Sequence, residues 1–251
     1  MDTKNCPLCN RNKKLIRSHI IPEGFYRTIY GENKNAIFSS ASREMVKKIQ
    51  VGHREYLLCK ECDNNTIGRY DKYAIDVIRD KKYIEEKDNN DSVIWENLDY
   101  NEFKLFHLSV LWRAHLAKKL FTGVNLSEKR FNEISQYLKA GKISDEDCYH
   151  IFGLYLLDLE NDYENCNELI TEGKKYNMSI LPNSEVYIFI FGGIAWHYII
   201  SNSEEANALE KFYLNKSGKI ILLKQNIRTF KPFLDISNSV KIANNYSKNN
   251  K

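Results

Sequence analysis

Four of the six cysteines stand in two pairs of identical spacing, Cys6-Pro7-Leu8-Cys9 and Cys59-Lys60-Glu61-Cys62. Each pair puts two thiols on one short turn aimed at a common point, so together they can surround one ion tetrahedrally, and sulfur donors at this spacing select zinc. Disulfide and redox readings are weaker. The chain enters the first pair through Met1-Asp2-Thr3-Lys4 without an apolar leader, which sets the expectation of a reducing cytoplasm. Cys148 and Cys166, far apart and unmatched, read as ordinary thiols.

Between the pairs lies Ser18-His19-Ile20-Ile21-Pro22. An imidazole titrates near neutrality and can take a proton from water, so His19 is a candidate general base. The plainer reading is a partly buried imidazole bonded to a backbone carbonyl. A first CxxC, an apolar-flanked SHIIP segment followed by Phe25-Tyr26, and Leu57-Leu58-Cys59-Lys60-Glu61-Cys62-Asp63 in that order resemble the HNH endonucleases. The resemblance covers roughly the first third of the chain.

It implies a treble-clef zinc fold on Cys6, Cys9, Cys59 and Cys62, with His19 as the base that activates water. It also implies a second, catalytic divalent ion, Mg2+ or Mn2+, beside that base. The residue before the histidine is usually an aspartate that binds this ion, and here it is Ser18, a poorer ligand for a hard cation. Asp63, directly after the closing pair, is the carboxylate that can make up the charge. The middle asparagine of the pattern is missing, and His53 and Arg54 occupy its vicinity.

The net charge of +4 hides an asymmetry. Up to Lys82 there are 17 Lys and Arg against 10 Asp and Glu, and beyond it 20 against 23. Positive charge gathered around the candidate site favours a polyanion, and Arg11, Lys13, Lys14, Arg17, Arg54 and Lys60 are the candidate nucleic-acid contacts. Solvated surface is the plainer account of such lysines. DNA is expected ahead of RNA. The most apolar run, Val186 to Ile200, is interrupted by Gly192-Gly193 and His197, so no membrane span is expected.

The fold class expected is α+β: a treble-clef, HNH-like zinc domain over 1–84, then an α+β domain of helices and antiparallel sheet over 92–251. The apolar-free stretch Glu85 to Asp91 serves as linker. In the first part, 31–42 reads as a polar loop and Glu55 to Leu58 as the strand that delivers the second cysteine pair. A helix follows from Glu61, with Ile67, Tyr70, Ala74, Val77 and Ile78 on one face and Asp63 in its first turn. Asp71 reads as a helix-surface carboxylate or a support for the site.

Asn101 to Phe121 is expected as a one-faced helix with Trp112 in the core and Arg113 in solvent, and Ser127 to Ala140 as a capped helix stopped by Gly141. Ile151 to Leu159, Met178 to Leu181, Val186 to Ile200 and Lys219 to Leu223 read as strands, Glu204 to Leu214 as helix, and 244–251 as a polar tail. Two functions compete. One is a metal-dependent HNH-type endonuclease cutting phosphodiesters, the resemblance implying bacterial anti-phage defence. The other is an eroded zinc module that binds nucleic acid or protein. The second domain is a candidate for selecting a substrate or a protein partner.

Overall fold

The computed structural model describes residues 4–27, 36–40, 45–49, 52–119, 121–145, 148–160, 164–167, 169–202 and 204–232. The architecture is mixed α+β, one large sheet with two long helices on one face and the cysteine-bearing segment at their end.

That segment begins with a minimal ribbon, β1 (Lys4–Asn5) against β2 (Asn12–Lys13), folding the first cysteine turn back on itself. Asn10 closes the turn in the left-handed region, φ 57°, a conformation asparagine tolerates well. β3 (Leu15–His19) leads to Pro22, whose fixed φ starts the single-turn α1 (Glu23–Tyr26). Phe25 and Tyr26 are buried as expected, while Ile29, expected beside them, lies outside the described residues.

The polar loop expected over 31–42 is a strand from residue 36: β4 (Ala36–Ser40) pairs antiparallel with β5 (Met45–Ile49). Ala-Ile-Phe facing Val-Lys-Lys-Ile carries enough β preference to outweigh the flanking serines. Residues 31–35 and 41–42 lie outside the described residues. β6 (Arg54–Cys59) then pairs with β3 and delivers the second cysteine pair to the first.

The expected helix follows as one rod. Wide π-turns over Cys62–Ile67 run into α2 (Gly68–Ala74) and again into π-turns over Ile75–Arg79. Ile67, Tyr70, Ala74, Val77 and Ile78 are all buried, as their spacing predicts.

The acidic stretch expected as a linker is hydrogen-bonded instead. β7 (Glu85–Asp88) folds back on β8 (Ser92–Glu96) and forms an outer strand of the large sheet. Every residue of β7 is exposed, and charge on an outer strand is a common guard against further pairing. Its charges are paired with neighbouring strands: its own Lys87 meets Glu96 of β8, and Lys224 lies 2.5 Å from Asp88.

Asp99 caps α3 (Tyr100–Leu116), accepting from the Glu102 amide at 3.0 Å. The helix differs from the one-faced element expected, because residues 103 to 114 are buried on every side. Ser127 caps α4 (Glu128–Ala140), and Gly141 ends it at φ 68°, both as the sequence predicts.

The remaining strands are β9 (Tyr149–Asp158), β10 (Glu164–Asn165), β11 (Lys174–Tyr176), β12 (Glu185–Phe191), β13 (Ile194–Ile200) and β14 (Ile220–Asn226). The eight-stranded sheet runs β11-β12-β13-β9-β14-β8-β7, with β10 beside the end of β9. Its pairs are antiparallel except β14 with β9, which is parallel and departs from the all-antiparallel expectation. Between them the chain crosses over through β10 to β13 and a 3-10 helix at Glu204–Phe212. Met178 to Leu181 is a turn, not a strand: the Leu181 amide donates to the Met178 carbonyl at 2.9 Å. The expected tail, 244–251, lies outside the described residues.

Gly192 and Gly193, both at positive φ of 60° and 73°, form the tight turn joining β12 to β13. These strands separate two cores by strict alternation. Tyr187, Phe189, Phe191, Trp196 and Tyr198 face α3, while Val186, Ile188, Ile190, Ala195 and Ile199 face a smaller cluster with Leu156, Tyr213 and Phe230. The larger cluster continues without a break into the cysteine-bearing segment, where Phe25 meets Phe191 at 5.0 Å and Phe106 at 6.3 Å between ring centres.

Candidate metal centre and the His19 site

β3 and β6 lie in register Leu15↔Cys59 and His19↔Arg54, so the two cysteine turns meet at one end of the pair and His19 stands at the other. At the first end the four sulfurs of Cys6, Cys9, Cys59 and Cys62 all lie within 4.8 Å of one another. Cys9 Sγ is 3.9 Å from Cys59 Sγ. Zinc–sulfur bonds of about 2.3 Å at tetrahedral angles require roughly 3.8 Å between sulfurs. The donor set therefore fits zinc, as the spacing predicted.

The surroundings favour negatively charged sulfur at Cys9 and oppose it at Cys6 and Cys62, where a bound cation would have to offset the burial. The Cys59 amide donates to Cys6 Sγ at 3.4 Å. Burial raises the Cys6 and Cys62 thiols. At Cys9 burial is outweighed by the amide and guanidinium of Arg11, which bring the thiol down to about 6. Arg11 and Lys13 both pair with Glu61, which stands inside the second cysteine turn. Lys13, Lys14 and Lys60 line an open groove of about 460 Å³ with Asn64 and Asn65.

At the other end the His19 imidazole is four-fifths buried, its side chain 19% exposed. Arg54 Nε donates to its Nε2 at 2.7 Å, and Glu23 Oε2 lies 2.6 Å from the same nitrogen. One ring nitrogen holds either a proton or a lone pair, so Nε2 serves Glu23 as donor or Arg54 as acceptor, one at a time. The Gly52 amide also donates to Glu23 Oε2, at 3.2 Å. Burial pushes the imidazole down to about 4, and the positive charge of Arg54 adds to that against the pull of Glu23. His19 is therefore neutral at neutral pH.

Its backbone is held as firmly. Arg113, expected in solvent, is 1% exposed. Its guanidinium grips Asp71 through two hydrogen bonds of 2.9 and 2.7 Å and donates to the His19 carbonyl at 2.9 Å. A lone arginine in a helix with no polar face must be buried, and a buried guanidinium must be paired. Asp71 is thus the support for the site that the alternative reading named. Burial pushes its carboxyl upward despite Arg113, and the charge of Asp63 adds to that rise.

No family model, curated protein or solved structure matches this chain. The site therefore speaks only through its own geometry.

Asp63 lies in the first helical turn after Cys62, half-buried, within electrostatic reach of Asp71. The carboxylate touching His19 is Glu23, which the sequence reading missed. The signal was its place four residues after His19, at the first helical position behind proline. Ser18 is fully buried, and its Oγ has no hydrogen-bond partner among the described residues. His53 packs edge-on against Tyr26 and Phe121 at 6.4 and 6.1 Å between ring centres. Of the candidate nucleic-acid contacts, Arg17 and Arg54 line a second hollow, with Glu55, Tyr56 and Lys119. Among the described residues no helix is long and apolar enough to cross a membrane.

Proposed function

We propose that the protein is a metal-dependent endonuclease of the HNH type, built on a treble-clef zinc fold, with His19 as the base that activates water. The observation that carries the proposal is the His19 site itself: a neutral imidazole, fixed at ring and backbone, on the strand that pairs with the second cysteine turn. With Nε2–H given to Glu23, the lone pair is left on Nδ1, free to accept a proton from water at neutral pH. Zinc on Cys6, Cys9, Cys59 and Cys62 would hold the frame. Asp63 is the carboxylate offered to a hard divalent ion, which when bound would steady the leaving oxygen; Ser18, fully buried on the face away from His19, is not a ligand for it. The lysine-lined groove at the cysteine end, which also carries Glu61, and the hollow beside Arg54 offer cations to a phosphate backbone.

One observation favours the second reading, a zinc module that binds nucleic acid without cutting. A pKa near 4 makes a weak base, and Arg54 competes for Nε2. Incubation of plasmid, single-stranded DNA and RNA with Mg2+ or Mn2+ separates the two. Wild type should cut and His19→Ala should not, with unchanged zinc content and circular dichroism. Equal cutting by both would remove His19 from the chemistry. Binding without cutting by wild type would leave the zinc module.

A further inference from the structure

The face of β3 and β6 that carries His19 shows solvent an aromatic ring, Tyr56, that the chemistry above leaves unused. The register sets Arg17 opposite Tyr56 and His19 opposite Arg54. Alternate residues share a face, so Arg17 and His19 lie on the same side of the sheet as Arg54 and Tyr56, and Ser18 is buried on the other. Tyr56 is 67% exposed. Tyr83, the other widely exposed ring among the described residues, is stacked on Tyr73 with 7° between their planes. No ring of the described residues stacks on Tyr56.

Around Tyr56 an open hollow of about 310 Å³ is lined by Arg17, Arg54, Glu55 and Lys119. Its one carboxylate is engaged: Glu55 accepts from the Lys118 and Lys119 amides at 2.8 and 3.0 Å, which fixes Lys119 at the rim. Arg54 also reaches His19, so a single guanidinium borders both the hollow and the imidazole. Tyr56 stands two strand positions from the His19 pair, about 7 Å away along the sheet.

We propose that this hollow is a stacking platform for an unpaired base, so that the strand presented to His19 is single-stranded nucleic acid. The proposal rests on the nuclease reading and names its substrate class. A ring standing open on a rigid strand gains from a flat partner, and unpaired bases offer faces where a duplex offers only edges. Arg17 and Lys119 take the flanking phosphates, and Arg54 carries the next phosphate toward His19. An aromatic ring set among cations complements a flexible polyanion with flat apolar groups.

Fluorescence anisotropy tests it, using labelled oligo-dT, oligo-U and a duplex, each of about 16 nucleotides a strand, without Mg2+ or Mn2+ so that nothing is cut. One or both single strands should bind more tightly than the duplex, and the oligo-dT and oligo-U arms tell which sugar is preferred. Tyr56→Ala should weaken single-strand binding by about 5- to 150-fold, with zinc content unchanged. Tyr56→Phe should keep the affinity, since stacking needs the ring and not the hydroxyl. Arg17→Ala should lower the slope of log affinity against log salt by about 1. Undiminished single-strand binding by Tyr56→Ala, or a duplex bound as tightly as either strand, overturns the platform. The nuclease reading fails separately. A protein that grips single strands through Tyr56 yet cuts nothing keeps the platform and loses the enzyme. One that cuts duplex plasmid through His19, indifferent to Tyr56→Ala, does the reverse.

Discussion

At the scale of single residues, Arg113 decides most. Its charge is shared with Asp71 and with the His19 carbonyl, and the guanidinium is withdrawn from water while the Asp71 side chain stays 18% exposed. Truncation leaves Asp71 buried without its cation, so Arg113→Ala should cost about 3–5 kcal/mol in urea unfolding. Arg113→Lys should recover only part, because one ammonium cannot reproduce the two-pronged grip. A cost below about 1 kcal/mol would show that the pair carries no stability. Glu23 acts on the ring. Glu23→Gln should leave the fold and zinc intact but change the pH dependence of any His19-dependent cleavage, since a neutral amide holds the ring proton less firmly than a carboxylate. The cysteine cluster was legible because spacing and residue type declare it. Arg113 was not, because a contact across 94 residues leaves no local pattern, whereas Glu23 carried a local signal, its place four residues after His19, that went unused.

At the scale of elements, the two cysteine turns are short, and they join the two ends of a segment that otherwise rests on the main core through Ile20, Phe25, Leu58 and Ile67. Cys59→Ser should lose bound zinc in a chelator-dye assay and raise proteolysis within the first 80 or so residues, while the β12–β13 hairpin stays protected. Retained zinc would remove Cys59 from the ligand set. The β12–β13 turn is a second pressure point. Gly192 sits at φ 60°, and a Cβ there would come 2.6 Å from Ile78 Cγ2, so Gly192→Ala should destabilise by about 1–2 kcal/mol. Periodicity read the helix after Cys62 and α4 correctly, because burial on one face writes itself into the order of residues; it read Val186 to Ile200 as strand but not the turn at Gly192-Gly193 that folds it into β12 and β13. It misread 85–91 and 178–181. A charged outer strand looks like a linker when its partner is not known, and a short apolar run can pack in a turn as readily as in a strand.

At the scale of the whole molecule, burial of uncharged histidines sets the acid limit. His197 is pushed down to about 4 and His107 well below its ordinary value, both by desolvation among aromatic rings. The unfolded chain takes up these protons near pH 6.5 and the folded chain does not. Stability is therefore complete above about 6.5 and falls as the pH drops toward about 4, by about 1.4 kcal/mol per pH unit for each histidine. Urea midpoints measured across that range should decline, and His197→Phe should flatten the decline. A flat wild-type profile would mean that the two rings are protonated in the native state. The α+β class could be read from the sequence, since it depends on texture alone. The parallel β9–β14 pair could not, because it depends on how the chain crosses over.

The Arg113 guanidinium joins strand, helix and helix across 94 and 42 residues of chain. Such a knot closes only after its distant parts have met, so it belongs to the late, slow side of the folding barrier. A kinetic consequence follows: Arg113→Ala should hasten unfolding far more than it slows refolding. The candidate catalytic histidine would then be the last part of the chain to be put in order, and the first to be lost.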